Sequence, residues 1–188
     1  MKPITPASPH AIIMVGIPGS GKSTFAEHFA DTFKAPLLNE SKLAYEAHLD
    51  ADQAEFIFTT MMIEVMKANR TFILEAYNMT KAKRASIVAT VTKAGYRPLI
   101  VWVQTEPVEA KRRAMKPRPT GSGLTDSEFD SHVRAFASPL PQEKPTVISG
   151  KHTYATQIKV VLKQLAGSRP DVHVEPPKPR QTGNITVR

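Results

Sequence analysis

Apolar and polar positions along this chain fall into blocks that switch between two periods. Ala11-Ile12-Ile13-Met14-Val15 is apolar at consecutive positions, as a strand buried on both faces of a parallel sheet must be. Similar short runs at 35–39, 70–75, 97–103 and 145–149 bring the predicted strands to five. Between them the spacing turns helical. Phe25, Phe29 and Phe33 repeat every four residues and predict a helix with one stripe on the sheet, read as core rather than as an adenine shelf. Glu40-Ser41-Lys42 opens a short helix, and residues 52–68 form a longer one with Phe58, Met61, Met62 and Val65 at helical spacing. Its methionines read as gap-filling core, with a substrate-facing role for part of the stripe as the alternative.

Terminus signals support the same segmentation. Thr80 can cap a helix to Ala94, which Gly95 ends. Pro107 suits the first turn of a helix to about Met115, and Thr125-Asp126-Ser127-Glu128 is a capping box for one to about Ala137. A last helix from about Thr153 carries Tyr154, Ile158, Val161, Leu162 and Leu165 as its apolar stripe, and the lone Trp102 reads as core. Strands alternating with helices predict an α/β fold: a doubly wound parallel sheet with helices on both faces.

Composition narrows this picture. The chain has 188 residues, 41% hydrophobic and 22% charged, which suits one soluble globular domain. Residues 1–10 are a proline-rich lead-in, 11–166 the folded domain, and 167–188 a proline-rich basic tail, expected to be disordered or draped on the surface. There are no internal repeats. With no cysteine, disulfides, thiol nucleophiles and thiolate metal sites are excluded. The apolar stretch before Pro18 is too short to span a membrane and lacks the form of a signal peptide, so a cytoplasmic location is the default expectation. A net charge of +8 favours anionic partners: nucleotides, phosphorylated metabolites or nucleic acid.

Chemistry concentrates after the first strand, in Gly16-Ile17-Pro18-Gly19-Ser20-Gly21-Lys22-Ser23-Thr24. A strand, a glycine-rich turn and a helix start are the setting in which G-x-x-x-x-G-K-[ST] marks a phosphate-binding P-loop, or Walker A motif. The glycines free the backbone so that its N–H groups converge on a polyphosphate, and the helix dipole adds positive potential there. Lys22 supplies a mobile charge for the β- and γ-phosphates, and the Ser23 hydroxyl suits Mg²⁺. In 70–75 an apolar run ends in Glu75, at the sheet edge where ligands bind. Beside the first strand, Glu75 would face the metal and phosphates. Lys111, Arg112, Arg113, Lys116 and Arg118 then run into a Pro/Gly loop, as an arginine-bearing lid over transferring phosphoryl oxygens would require.

These motifs, GIPGSGKST, FILEAYNMT, GYRPLIVWV and EAKRRAMKPRP, together resemble the small P-loop kinases grouped with polynucleotide 5′-hydroxyl kinases and their AAA-labelled relatives. The resemblance covers roughly 11–166. It implies strand order 2-3-1-4-5, ATP with Mg²⁺ as donor, a nucleotide site at Gly16 to Thr24 with Arg112, catalytic Lys22, Arg113 and Arg118, and a metal held by Ser23 and Glu75. Two departures stand out. The third-strand pattern of the family ends in Asp, Ala, Thr, Asn, whereas this chain has Glu75, Ala76, Tyr77 and Asn78. The acceptor-activating Asp of polynucleotide kinases falls at Ser41, which cannot act as a base at its own pKa. Glu40, one position earlier, and Glu75 are the candidate bases. The expected activity is transfer of the γ-phosphate of ATP to a hydroxyl, on a nucleic-acid 5′ end or a small molecule. The alternatives are a non-catalytic ATP-binding module and an NTP-hydrolase switch.

Overall fold

A computed structural model of the protein describes residues 9–76, 80–117 and 123–167. The start of the lead-in, Tyr77 and Asn78, Arg118 and the tail beyond Gly167 lie outside the described residues. Strands β1 (His10–Val15), β2 (Leu37–Asn39), β3 (Phe72–Glu75), β4 (Arg97–Gln104) and β5 (Thr146–Ser149) form one sheet in the order β2-β3-β1-β4-β5. All four pairings are parallel, so every strand ends at the same sheet edge. The expected order is the observed one.

Helices α1 (Lys22–Phe33), α2 (Glu40–Glu46), α3 (Ala51–Lys67), α4 (Lys81–Lys93), α5 (Pro107–Ala114), α6 (Asp126–Ala135) and α7 (Tyr154–Gly167) connect or follow the strands. The side chains of β1 divide the core by parity, since successive strand residues point to opposite faces. Ala11, Ile13 and Val15 join Phe58 and Met62 of α3 and Ile87 and Val91 of α4. Ile12 and Met14 face the other layer, Phe25 and Phe29 of α1 and Val161 of α7. A separate small cluster, Ala110, Ala114 and Phe129, clasps α5 to α6.

Three expected core positions are turned outward. Phe33 is 43% exposed, because four-residue steps overshoot the helical turn by about 40° each; it stacks on Phe29 with ring centroids 4.6 Å apart. Met61 and Leu162 adjoin buried Met62 and Val161 in sequence, and neighbours on a helix point about 100° apart. Trp102 is only half-buried, packed at the margin of the α3–α4 layer. The cap at Thr80 and the capping box at Thr125 form as expected, and Asp50 with Gln53 adds a capping box on α3.

Candidate active site

The glycine-rich loop leaves β1 and enters α1 at Gly21, and no side chain caps that helix. Its first N–H groups therefore face the loop's own concavity, the arrangement that binds anions at helix starts. Gly19 has φ +74°, and a Cβ there would run into the Ala110 carbonyl of α5. Only glycine allows α5 to sit this close.

A cavity of about 290 Å³ stands over the loop. Its lining includes Pro18, Gly19, Lys22 and Ser23, with Glu75 and Arg113 brought in from the end of β3 and from α5. Glu75 accepts from the Ser23 hydroxyl at 3.1 Å through Oε1 and from the Asn39 amide at 3.1 Å through Oε2. Lys22 Nζ lies 3.8 Å from the same carboxylate and donates to the Ile17 carbonyl at 3.1 Å. The register explains the meeting: β3 lies between β1 and β2, and Asn39 and Glu75 are direct partners. A hydroxyl and a carboxylate side by side offer the hard oxygen donors that Mg²⁺ takes, so Ser23 and Glu75 fit that ion.

The remaining sequence candidates divide. Gly16, Ile17 and Ser20 bring no side chain to the lining of this cavity: the Ile17 side chain packs toward α5 and α6, and Ser20 is fully buried. The Ser20 carbonyl accepts from the Thr105 hydroxyl at 2.9 Å. Thr24 lines the cavity rim. Arg113 is braced by Glu109 at 2.6 Å and by the Gly150 carbonyl at 2.9 Å, inside the cavity wall. Arg112 points elsewhere. It is largely exposed and forked onto Glu109, with both contacts at 2.7 Å, because the next position on a helix faces a different direction. The hydrogen bonds from Arg112, then Arg113, pull the Glu109 carboxyl down to about 2. Arg118 lies outside the described residues.

Glu40 is 4% exposed and gripped by Lys83 of α4, whose ammonium reaches its two oxygens at 3.0 and 3.1 Å. It lines a different cavity from the one over the loop, but directly follows Asn39, which holds Glu75. Sequence reasoning missed Asn39, Lys83 and Glu109. Asn39 and Glu109 had a signal in principle: an Asn ending a strand directly before a helix, and a Glu spaced three and four residues from two arginines. Lys83 had none, since its partner is 43 positions away.

The AAA domain family AAA_33 matches residues 12–139. Among curated proteins, none matches the sequence significantly. Similar solved structures include a gluconokinase from Sinorhizobium meliloti 1021, with TM-score 0.63 and 15% identity over 86% of this chain and 94% of that one. The Mycobacterium tuberculosis APS kinase CysC, in complex with AMPPNP and APS, has TM-score 0.63 and 17% identity over 86% and 99% of the two chains. At these identities the likeness is one of fold. A chain of the Pnkp1/Rnl/Hen1 RNA repair complex reaches 25% identity with TM-score 0.60, over 77% of this chain and 48% of that one.

Proposed function

This chain belongs to the AAA domain family, among folds of the small P-loop kinase type, and from that premise we propose that it is an ATP-dependent phosphotransferase acting on a hydroxyl. The carrying observation is the meeting of Lys22, Ser23, Glu75 and Arg113 around one small cavity at the uncapped start of α1. The Lys22 ammonium and the amide dipoles at the start of α1 meet Arg113 from α5 there, as a polyphosphate requires.

In this reading the loop amides and Lys22 hold the β- and γ-phosphates, and Arg113 neutralises charge on the group in transit. Lys22 would exchange the Ile17 carbonyl for phosphate oxygen. Ser23 and Glu75 would hold Mg²⁺, which when bound offsets the charge of the phosphate oxygens. Glu75 is thereby committed to the metal side, leaving Glu40 as the better candidate for accepting the hydroxyl proton. The acceptor oxygen then bonds to the γ-phosphorus as the bond to the ADP oxygen breaks. The APS kinase solved with AMPPNP lends support to an ATP-type donor.

The test is incubation with γ-labelled ATP and candidate hydroxyl acceptors, comparing the natural protein with Lys22→Ala. Label should move to an acceptor, and Lys22→Ala should lose transfer by about a hundredfold or more, as loss of one charged transition-state contact does. An active Lys22→Ala protein overturns the role given to this lysine. Phosphate release without labelled acceptor would identify a hydrolase instead.

A further inference from the structure

A cavity of about 780 Å³ opens between the α2–α3 pair and α4, a volume suited to a small-molecule ligand. Its rim belongs to the same sheet edge as the glycine-rich loop. Glu40 stands on it immediately after Asn39, and Thr80 opens α4 on its other side, shortly after β3 ends at Glu75. The walls are of two kinds. Phe58, Met62 and Ile87 supply an apolar floor, while Ser41, Thr59 and Ser86 bring hydroxyls to the lining.

Its charges are Glu40, Glu55 and Lys83. Lys83 lies 3.0 Å from Glu40 and 3.7 Å from Glu55, so two carboxylates outnumber and engage one ammonium. Among the described residues no arginine lines it. A phosphate, sulfate or carboxylate entering there would meet net negative charge from the described lining, whose ammonium is already held by Glu40 and Glu55. The +8 charge of the whole chain does not reverse this, because exposed charges beyond about 10 Å are largely screened while the buried Glu40 is at contact distance.

We propose that this cavity binds the phosphoryl acceptor, and that the acceptor is a compact alcohol without negative charge, either uncharged or carrying an amine cation, with one apolar face. The proposal rests on the phosphotransfer reading above. The alcohol proton passes to the Glu40 carboxylate, its oxygen bonds to the γ-phosphorus of ATP, and ADP departs with the electron pair of the broken bond. Glu55, 61% exposed at its side chain, biases the site toward amines without touching the nucleotide cavity.

The experiment uses the full chain with γ-labelled ATP and magnesium. Adenosine, glucosamine and phenylalaninol form one arm; glucose 6-phosphate and an oligonucleotide with a free 5′-hydroxyl form the other. Ligand-observed NMR follows binding of each probe independently of turnover. Label and binding should favour the first arm, adenosine against the two amines separating an uncharged from a cationic acceptor. Glu55→Lys should raise KM for the amines by about fivefold while leaving ATP affinity unchanged, the scale of one partly exposed charge contact. Preferred labelling of glucose 6-phosphate or the oligonucleotide overturns the acceptor class and leaves phosphotransfer standing. Binding of the first arm with no label transfer overturns phosphotransfer and leaves the ligand class standing. If ATP binds and no first-arm probe is either bound or labelled, the proposal is wrong.

Discussion

Asn39 performs two tasks with one amide. Its Oδ1 accepts from the Lys42 N–H at 2.9 Å, capping α2, and its Nδ2 donates to Glu75 at 3.1 Å. The two functions separate by substitution. Asn39→Asp keeps the acceptor for the cap but sets a second carboxylate against Glu75, so stability should fall without magnesium and recover with it, while magnesium-dependent ATP binding changes. Asn39→Ala loses the cap, which should cost about 1 kcal/mol. Urea denaturation with and without magnesium, paired with ATP calorimetry, checks both, and equal losses of stability in magnesium would show that the cap is not what Asn39 contributes. Glu40→Gln belongs to the same scale: transfer should fall while ATP affinity holds, measured by single turnover and calorimetry. Transfer at the natural rate would place the base elsewhere, with Glu75 next.

At the scale of elements, the link least visible in the sequence joins α4 to the segment before β5. Arg84 is fully buried, and it forks onto Glu143 at 2.7 and 3.0 Å while donating to the Ala137 carbonyl at 2.7 Å. Arg84 sits on the buried stripe of α4 with Ile87 and Val91, where a charge is rare unless paired. Removing only one partner of such a pair strands the other, so Arg84→Met should destabilise by about 3–5 kcal/mol. The hydrogen bond from Arg84 is the main reason the Glu143 carboxyl titrates below its ordinary range, against the opposing effect of burial. A depressed carboxylate contributes stability that is full above the unfolded value, near 4.5, and is lost as pH falls through the folded one. Acid unfolding should therefore steepen below about pH 4.5, and Glu143→Gln should be less stable at neutral pH with a shallower decline. Parallel pH curves for the two proteins would remove the pair from the account. Strand and helix identities were legible here because period and caps act locally. The Arg84 pairing was not, since it spans 59 positions.

Across the whole molecule, the nucleotide loop is shaped from outside as much as from within. The motif at 16–24 could be read from the residues and the sheet order followed from the family resemblance; with that order Glu75 falls beside the loop, because a parallel fold sends every strand end to one edge. How α5 and the β5–α7 turn close on the loop could not, since close backbone approach leaves no periodic trace. Gly150 shows this best. A Cβ at that position would strike the Ser20 carbonyl and the Thr105 hydroxyl, the same pair that meet each other at 2.9 Å. Its own carbonyl also receives Arg113 at 2.9 Å, tying α5 to the turn. One added methyl group therefore presses on the loop and on its arginine together, although it lies 130 residues from Ser20. Gly150→Ala should lower stability by about 1–3 kcal/mol, the scale of an overpacked site, and weaken ATP binding more than Thr105→Val, which removes one hydrogen bond without adding a clash. Calorimetry with ATP and denaturant titration on the two variants decide it: equal affinities would mean that the loop keeps its shape unaided, and that the tertiary clamp serves only the fold.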